Sequence, residues 1–312
     1  MLEVLYAIAV APFKDMAGSP AFLVEVLIGG LFAGLMYSLV ALGFVLIFKA
    51  SGVFNFAQGV MVLFAALTLV GLMEWGVPVV IALALTMGVM VVLAVCIERI
   101  VLRPLVNQEH IILFMATIGL NFFLEGFGEM AWGANVKKLD VGIPDRSFIV
   151  RGVQINELEM TAALTAAILV TVLAVFFQRT RIGRALRAVA DDHEAALSLG
   201  IPLKTIWVIV WSVAGIVAIV AGIMWGAKSG VQFSLSLIAL KSLPVLILGG
   251  FTSVPGAIVG GLIIGVGEKL AEVYWGPLVG GAIENWFAYV MALAFLLFRP
   301  QGLFGERIIE RV

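Results

Sequence analysis

Long apolar runs alternate with short polar stretches along this chain of 312 residues. One of these apolar runs, 238–267, is interrupted at 249–256 by a cluster of Gly and Pro that a continuous helix would not contain. The pattern predicts an all-α polytopic membrane protein with about eight to nine membrane segments, some of them short, broken or re-entrant. Runs long enough to cross about 30 Å of hydrocarbon occur at 21–48, 52–73, 77–97, 111–133, 160–177, 206–227 and 281–298.

The composition also indicates a membrane protein. Hydrophobic residues make up 62% of the chain and charged residues 12%, and the mean hydropathy is +1.15. These values lie outside the range of water-soluble globular domains. We therefore expect the lipid bilayer to surround the chain, and the formal net charge of −1 gives no reason to expect a nucleic-acid partner.

Motifs of soluble enzymes are absent from the sequence. The two histidines, His110 and His193, have no cysteine or carboxylate at the spacing of metal ligands. No serine or cysteine pairs with a histidine inside an apolar run, as nucleophilic catalysis requires. The stretch 265–269 resembles part of a phosphate loop, but its spacing is wrong and no Ser or Thr follows the lysine. We expect no enzymatic activity, no metal site and no cofactor in this chain.

The longest strongly polar stretch is the loop 178–204, which we call the arm. It contains four arginines within nine residues, followed by an acidic group, and its pattern is that of a helix. Ile182, Leu186 and Val189 would form an apolar stripe on this helix. A loop of about 25 residues is longer than a membrane anchor requires, so we interpret the arm as a docking surface for a soluble partner, with positive-inside anchoring as the alternative for the arginines.

Lys and Arg are more frequent on the side of the membrane that carries the arm than on the other side, which places the arm in the cytoplasm. The largest loop on the outer side is 134–159, and residues 147–156 within it read as a hairpin that turns at Arg151-Gly152. Residues 1–20 are expected to form an interfacial segment that stays attached. A signal peptide is the alternative, but the start of the segment carries Glu3 and lacks the Lys or Arg of such peptides. Residues 21–305 form the membrane domain, and 306–312 a C-terminal tail.

Two polar interruptions break the apolar pattern, one at 49–59 and one at 249–256. Lipid cannot satisfy exposed backbone amides, so each break must be buried in protein or face a wet cavity. The second break is expected to lie near the cytoplasmic face between two short helices and to act as a gate. The gate candidates are Gly249, Gly250, Ser253, Pro255 and Gly256.

Polar side chains inside the membrane are costly and therefore mark candidate substrate contacts. Residues 117, 121 and 125 share one helix face because positions four apart lie above one another. Hydrogen bonding between helices is the alternative for the whole set, and an ion pair or an interfacial position is the alternative for Lys241 and Glu125. The candidates are Asn55, Gln58, Thr117, Asn121, Glu125 and Lys241.

Three pairs of glycines have the four-residue spacing that lets membrane helices approach backbone to backbone. The pairs are Gly30 with Gly34, Gly256 with Gly260, and Gly261 with Gly265. Helix packing is the favoured interpretation of these residues, and a hinge at the break is the other.

Together these motifs resemble the LivH-type branched-chain amino acid permeases of ABC importers. The resemblance covers roughly residues 21–305 and keeps the order of the family's motifs. In the arm, Glu194-Ala195-Ala196 followed by Gly200 is similar to the EAA-type loop of importer permeases, although Ile201-Pro202 follows the glycine directly. The other matching stretches are 55–59 (NFAQG), 103–105 (RPL), 249–261 (GGFTSVPGAIVGG) and 299–305 (RPQGLFG).

The resemblance implies a permease subunit of the bacterial inner membrane, with a short coupling helix in the arm that docks on an ATPase. It also implies a second, LivM-like permease, two ATPase subunits that bind ATP and Mg, and a periplasmic substrate-binding protein. The residues expected to couple the chain to the ATPase are Arg184, Arg187, Glu194, Ala195, Ala196 and Gly200.

Branched-chain or related small amino acids are the expected substrates, because a mostly apolar cavity with few polar groups suits them. Urea or short-chain amides are the alternative on the same scaffold. A standalone channel or secondary transporter is the alternative from another class. It would favour paired intramembrane carboxylates or histidines, which the sequence lacks, and would not need the arm.

Overall fold

The computed structural model describes residue 6 and residues 10–105, 108–191 and 193–305. Within them, a two-stranded antiparallel sheet pairs β1 (Ser147–Val150) with β2 (Val153–Asn156). The α-helices are α1 (Ala11–Gly18), α2 (Pro20–Ser51), α3 (Gln58–Glu74), α4 (Val79–Cys96), α5 (His110–Trp132), α6 (Glu157–Arg179), α7 (Arg181–Asp191), α8 (His193–Ser198), α9 (Leu203–Ser229), α10 (Ile238–Gly249), α11 (Val254–Tyr274), α12 (Gly276–Val279) and α13 (Phe287–Phe298).

Among the described residues, six helices are long and apolar enough to cross a membrane: α2, α4 with its extension to Leu105, α5, α6, α9 and α11. Three shorter apolar helices accompany them, namely α3, α13 and α10 with the 3₁₀ turn Phe233–Leu237 that precedes it. The extension of α4 consists of a π-helical turn, Ile97–Leu102, and a 3₁₀ turn, Arg103–Leu105. This confirms the predicted all-α polytopic fold.

The connections of the bundle fall at two opposite ends. At the end that carries the arm, Lys49 Nζ donates to Thr252 O (3.4 Å), and Trp207 Nε1 donates to Ala50 O (3.0 Å). At the other end, which carries the β-hairpin, Lys137 forms a β-bridge with Val231. We call these the arm end and the hairpin end. The chain runs between them in alternating directions along α2, α3, α4, α5, α6, α9, α10, α11 and α13.

The centre of the bundle is formed by α2, α3 and α9, whose side chains are mostly buried. Helices α4, α5 and α6 surround this centre and expose apolar side chains such as Val80, Phe123 and Leu164. Lipid tails are as apolar as these side chains, so the outward faces suit a hydrocarbon environment. Packing between backbones must then hold the helices together.

The most extensive helix contact is between α2 and α11, and small residues make it possible. A Cβ added at Gly34 would lie 2.6 Å from Gly261 O, and one added at Gly265 would lie 2.4 Å from Gly34 N. Gly30 is equally close, since its added Cβ would lie 2.7 Å from Val266 Cα. The packing interpretation of the glycine pairs 30/34 and 261/265 is therefore confirmed.

The predicted hairpin at 147–156 is confirmed in position and turn. Strands β1 and β2 pair in the predicted register, and Arg151 and Gly152 both have positive φ (52° and 84°), the conformation that a two-residue turn of this hairpin requires. Gln154 N donates to Glu25 Oε2 at 2.9 Å, which fixes the hairpin to the start of α2.

Two sequence expectations were wrong in detail. The run 281–298 is helical only over α13, because Gly280 and Gly281 have positive φ and a 3₁₀ turn, Ile283–Asn285, follows them. Only the first of the two helices at the 249–256 break is short: α11 has 21 residues and can cross the membrane.

Helix α1 lies within the predicted interfacial segment 1–20, but residues 1–5, 7–9 and the tail 306–312 are outside the described residues.

We expect Gly34→Ala to destabilise the bundle by about 1–3 kcal/mol, because the new methyl group forces α2 and α11 apart. Gly29→Ala is the matched control on the same helix, since nothing lies within 4 Å of a Cβ at Gly29. Thermal unfolding of the two variants in detergent checks this. Equal melting temperatures would show that the glycine contact does not hold the helices together.

Candidate functional site

A cavity of about 260 Å³ lies between α5, the α2–α3 connection and the segment that leads into α10. Its polar lining residues are Asn121, Glu125 and Ser236, and the rest of its wall is aromatic or aliphatic. Asn121 and Glu125 lie on one face of α5, four residues apart, as the sequence predicted. The remaining lining residues are Phe44, Phe54, Phe56, Phe122, Leu237, Ala239, Leu240 and Leu243.

The α2–α3 connection, residues 52–57, forms one wall of this cavity. Helix α2 ends at Gly52, whose φ of 68° breaks the helix while its N–H still bonds to Phe48 O. The ring of Phe54 then stacks on Phe44, with 4.7 Å between ring centroids, and Phe56 meets the edge of Phe114 at 6.2 Å. Aromatic packing therefore holds a non-helical segment inside the bundle.

Three of the other predicted polar residues, Asn55, Gln58 and Thr117, support this segment and do not line the cavity. Thr117 Oγ1 accepts from Phe56 N (3.1 Å) and donates to Phe114 O (2.8 Å), so it satisfies a backbone N–H that a helix would have satisfied. Asn55 Oδ1 accepts from Ala57 N at 3.1 Å. Gln58 is fully buried against Gly43, and its Nε2 finds no hydrogen-bond acceptor among the described residues.

The predicted gate residues lie where α10 meets α11, at the arm end. Gly250 ends α10 with a φ of 101°, and Ser253 caps α11 by accepting from Gly256 N at 3.0 Å. Pro255 occupies the first turn of α11, where its missing N–H costs nothing. A Cβ at Gly249 would lie 2.2 Å from Gly256 O, so the two helices touch through their backbones. Their role as a gate stays a prediction.

The arm folds as two short helices, α7 and α8, and its apolar stripe faces the bundle. Leu186 and Val189 are buried. Arg187 also turns inward: its guanidinium donates to Phe177 O (2.9 Å) and Gln178 O (3.4 Å) at the end of α6. The stripe and this arginine therefore attach the arm to the membrane helices.

Other side chains form the outward surface of the arm. Arg184 is exposed, and Leu197 and Leu199 are 53% and 78% exposed. Gly200 ends α8 with a φ of 77°, and Ala196 is buried beneath it. The side chains of Glu194 and Ala195 lie outside the described residues. Exposed leucines such as these suit a surface that a partner protein covers.

Comparison with known proteins decides the family. The model of the family described as "Branched-chain amino acid transport system / permease component" matches residues 26–299, which include the cavity, the arm and the α10–α11 break. The chain belongs to this family.

Curated relatives match nearly the whole chain. The high-affinity branched-chain amino acid transport system permease protein BraD of Pseudomonas aeruginosa is 29% identical over 301 residues, covering 92% of this chain and 97% of BraD. LivH of Salmonella typhimurium is 27% identical over 314 residues, with 93% and 98% covered. The probable LivH of Methanocaldococcus jannaschii is 27% identical over 288 residues, with 86% and 88% covered.

Lys241 lies outside the cavity of this permease-family chain, in a cluster that sequence reasoning did not find. Its Nζ lies 3.7 Å from Glu268 Oε1 and 3.7 Å from Glu284 Oε1. Tyr37 donates to the same Glu268 oxygen at 3.0 Å. The ion-pair alternative for Lys241 is thus the one that the structure supports. In the sequence, Glu268 stands out only as part of the stretch 265–269 that resembles a phosphate loop. Its ion pair could not be predicted, because its partners lie on other helices.

The C-terminal motif 299–305 seals the end of α10. Leu303 N donates to Leu248 O (2.8 Å) and Phe304 N donates to Gly249 O (3.1 Å), so two carbonyls that the helix end leaves unpaired are satisfied. Gly302 adopts a φ of 78°, and a Cβ there would lie 2.7 Å from Gly250 N. Only a glycine at position 302 allows the C-terminal motif and the end of α10 to come this close.

We expect Gly302→Ala to destabilise the protein by about 1–3 kcal/mol more than Gly280→Ala. Both glycines have positive φ, so both variants carry the backbone strain of a left-handed alanine. Only at Gly302 does the new methyl group also meet backbone, because nothing lies within 4 Å of a Cβ at Gly280. Thermal melts in detergent compare the two. Similar losses of stability in the two variants would mean that the contact of 299–305 with the end of α10 contributes nothing beyond the backbone strain.

Proposed function

We propose that this chain is the transmembrane permease subunit of an ATP-driven importer for branched-chain or related small amino acids. The single observation that carries the proposal is a mostly apolar cavity with three polar groups in a chain of this family. The proposed location is a bacterial inner membrane, with the arm end in the cytoplasm and the hairpin end outside. The bias of Lys and Arg supports this orientation.

The lining of the cavity matches a zwitterion with an aliphatic side chain. The Glu125 carboxylate is a suitable partner for an ammonium group, while the Asn121 amide can donate to a carboxylate. The Ser236 hydroxyl donates its own hydrogen to Phe233 O at 2.8 Å, so its oxygen can accept from the ammonium group. The aromatic and leucine side chains leave an apolar wall for the substrate's own side chain. Asn55, Gln58 and Thr117 would act indirectly, by holding the α2–α3 connection that forms one wall.

The cavity lies beside strongly exposed apolar side chains, which suits a path completed by a second permease. Phe122 and Phe123 are each 67% exposed and Leu237 is 57% exposed. The proposed assembly contains a LivM-like second permease, two ATPase subunits that bind ATP and Mg, and a periplasmic substrate-binding protein. This chain itself would carry no ATPase activity.

Coupling would pass through the arm. The exposed surface around Arg184, Leu197 and Leu199 is suited to a cleft of an ATPase subunit, because apolar side chains in water gain free energy when a partner covers them. The buried face of α7 then carries the movement to α6, since Arg187 bonds to the last carbonyls of that helix. Gly249, Gly250, Ser253, Pro255 and Gly256 are the proposed site of alternating opening.

We expect Asn121→Trp to lower substrate uptake at least about tenfold, because an indole fills a cavity of this size. Met130→Trp is the control on the same helix: Met130 is 77% exposed and does not line the cavity. The measurement is ATP-dependent uptake of leucine, isoleucine, valine, urea and acetamide by membrane vesicles that contain the full assembly. Uptake of urea or acetamide alone would favour the amide alternative, and uptake without ATP would favour a channel or secondary transporter.

We expect Leu199→Ser to weaken recovery of the ATPase with the solubilised chain about tenfold or more, as burial of a leucine contributes about 1.5 kcal/mol or more. Val80→Ser is the control, because Val80 is 79% exposed, almost the same as Leu199, but belongs to a membrane helix at the hairpin end. Co-purification quantifies the ATPase bound to each variant. Unchanged recovery with Leu199→Ser would place the dock elsewhere.

A further inference from the structure

A second cavity, of about 250 Å³, lies at the arm end between α2, α6, α7 and the start of α11. It is separate from the cavity lined by Asn121 and Glu125, with which it shares no lining residue. Lys49 and Arg187 are the charged side chains that line it. No described carboxylate lines this cavity or forms a salt bridge with either cation.

The two cations retain unused hydrogen-bond donors. Lys49 Nζ makes one long bond, to Thr252 O at 3.4 Å, although an ammonium group has three N–H donors. Arg187 donates to two carbonyl oxygens of α6 and has five N–H donors in all. The positive end of the α11 dipole also points at this cavity, since Ser253, Val254 and Pro255 line it. The site therefore favours an anion.

Most of the remaining lining is apolar, with Gln178, Thr252 and Ser253 as the polar exceptions. The apolar side chains are Leu46, Val254, Pro255 and Phe304, together with Ala174, Phe177 and Leu186 of α6 and α7. The adjacent face of α6 is exposed, since Val172 and Val175 are 55% and 49% exposed. A ligand in this cavity would thus meet two cations and an apolar wall beside an exposed helix face.

We propose that this cavity binds the phosphate group of an anionic phospholipid, with Lys49 and Arg187 as its ligands and an acyl chain along α6. Basic pockets between membrane helices are the sites where proteins hold such headgroups, and guanidinium and ammonium groups form strong charge-assisted bonds to phosphate. Because α7 and the α10–α11 break both line the cavity, a bound lipid would connect the arm to the break. The proposal rests on the bundle spanning a membrane and does not depend on the transported substrate.

The test is native mass spectrometry of the purified full assembly, titrated with phosphatidylglycerol. We expect Lys49→Gln to bind this lipid about tenfold more weakly, the loss of one charge-assisted contact, and Lys49→Arg to restore binding. Arg179→Gln is the matched control, because Arg179 is exposed at the same end and does not line the cavity. Retention of the lipid by Lys49→Gln at wild-type affinity would overturn the proposal.

Competition with inorganic phosphate distinguishes the two sources of a bound phosphate group, a phospholipid headgroup and free phosphate. Free phosphate lacks acyl chains, so we expect millimolar phosphate to displace phosphatidylglycerol poorly. Displacement at equal concentrations would show that the ligand is free phosphate and would overturn the lipid assignment. Failure of the intact assembly to bind any phosphatidylglycerol at this site would also overturn it, and would indicate that a partner subunit fills the cavity. Lipid binding is read without transport, so these outcomes are independent of the proposed substrate.

Discussion

The fold depends on one constraint: backbone amides inside hydrocarbon must find partners within the protein. Among the described residues, the α2–α3 connection and the end of α10 leave helical geometry within the bundle, and the backbone groups of each are satisfied in a different way. At the α2–α3 connection the Thr117 hydroxyl and the Asn55 amide accept the freed N–H groups. At the end of α10 the C-terminal motif 299–305 donates from Leu303 N and Phe304 N. Residues far apart in the chain are thus required to keep these breaks in the bundle.

Helix α10 links the breaks, the glycine contacts and the candidate site. Leu240 and Leu243 face the cavity. Lys241 is directed to Glu268 and Glu284 instead, and Val245 and Gly249 meet α11. One face of this short helix is therefore held by backbone contacts and ion pairs, while the other lines the cavity. In the proposed mechanism, any tilt of α10 against α11 would change the shape of the cavity.

Local patterns in the sequence predicted the helices, the hairpin at Arg151-Gly152 and close helix packing at the glycine pairs, because periodicity, turn residues and four-residue spacing determine each of them. That the 30/34 and 261/265 pairs contact each other was not predicted. The polar stripe on α5 was also readable, and two of its members line the cavity. Contacts between residues far apart in the chain could not be read from the sequence. The partners of Lys241 lie on α11 and in the turn before α13, and nothing in the sequence shows that the arm's apolar stripe faces the bundle. Exposed Leu197 and Leu199 stand out only after the fold has buried their neighbours.

The attachment of the arm explains how a short helix can act as a lever in the proposed mechanism. Leu186 and Val189 are buried against the bundle, and Arg187 bonds to the end of α6. A force applied at the exposed leucines would therefore reach α6 without first unfolding the arm, since local opening would break buried contacts and a charge-assisted bond together. The basic cavity lies at the joint where this attachment meets the α10–α11 break. An anion bound in this cavity would therefore change how much of the arm's movement is transmitted to the α10–α11 break.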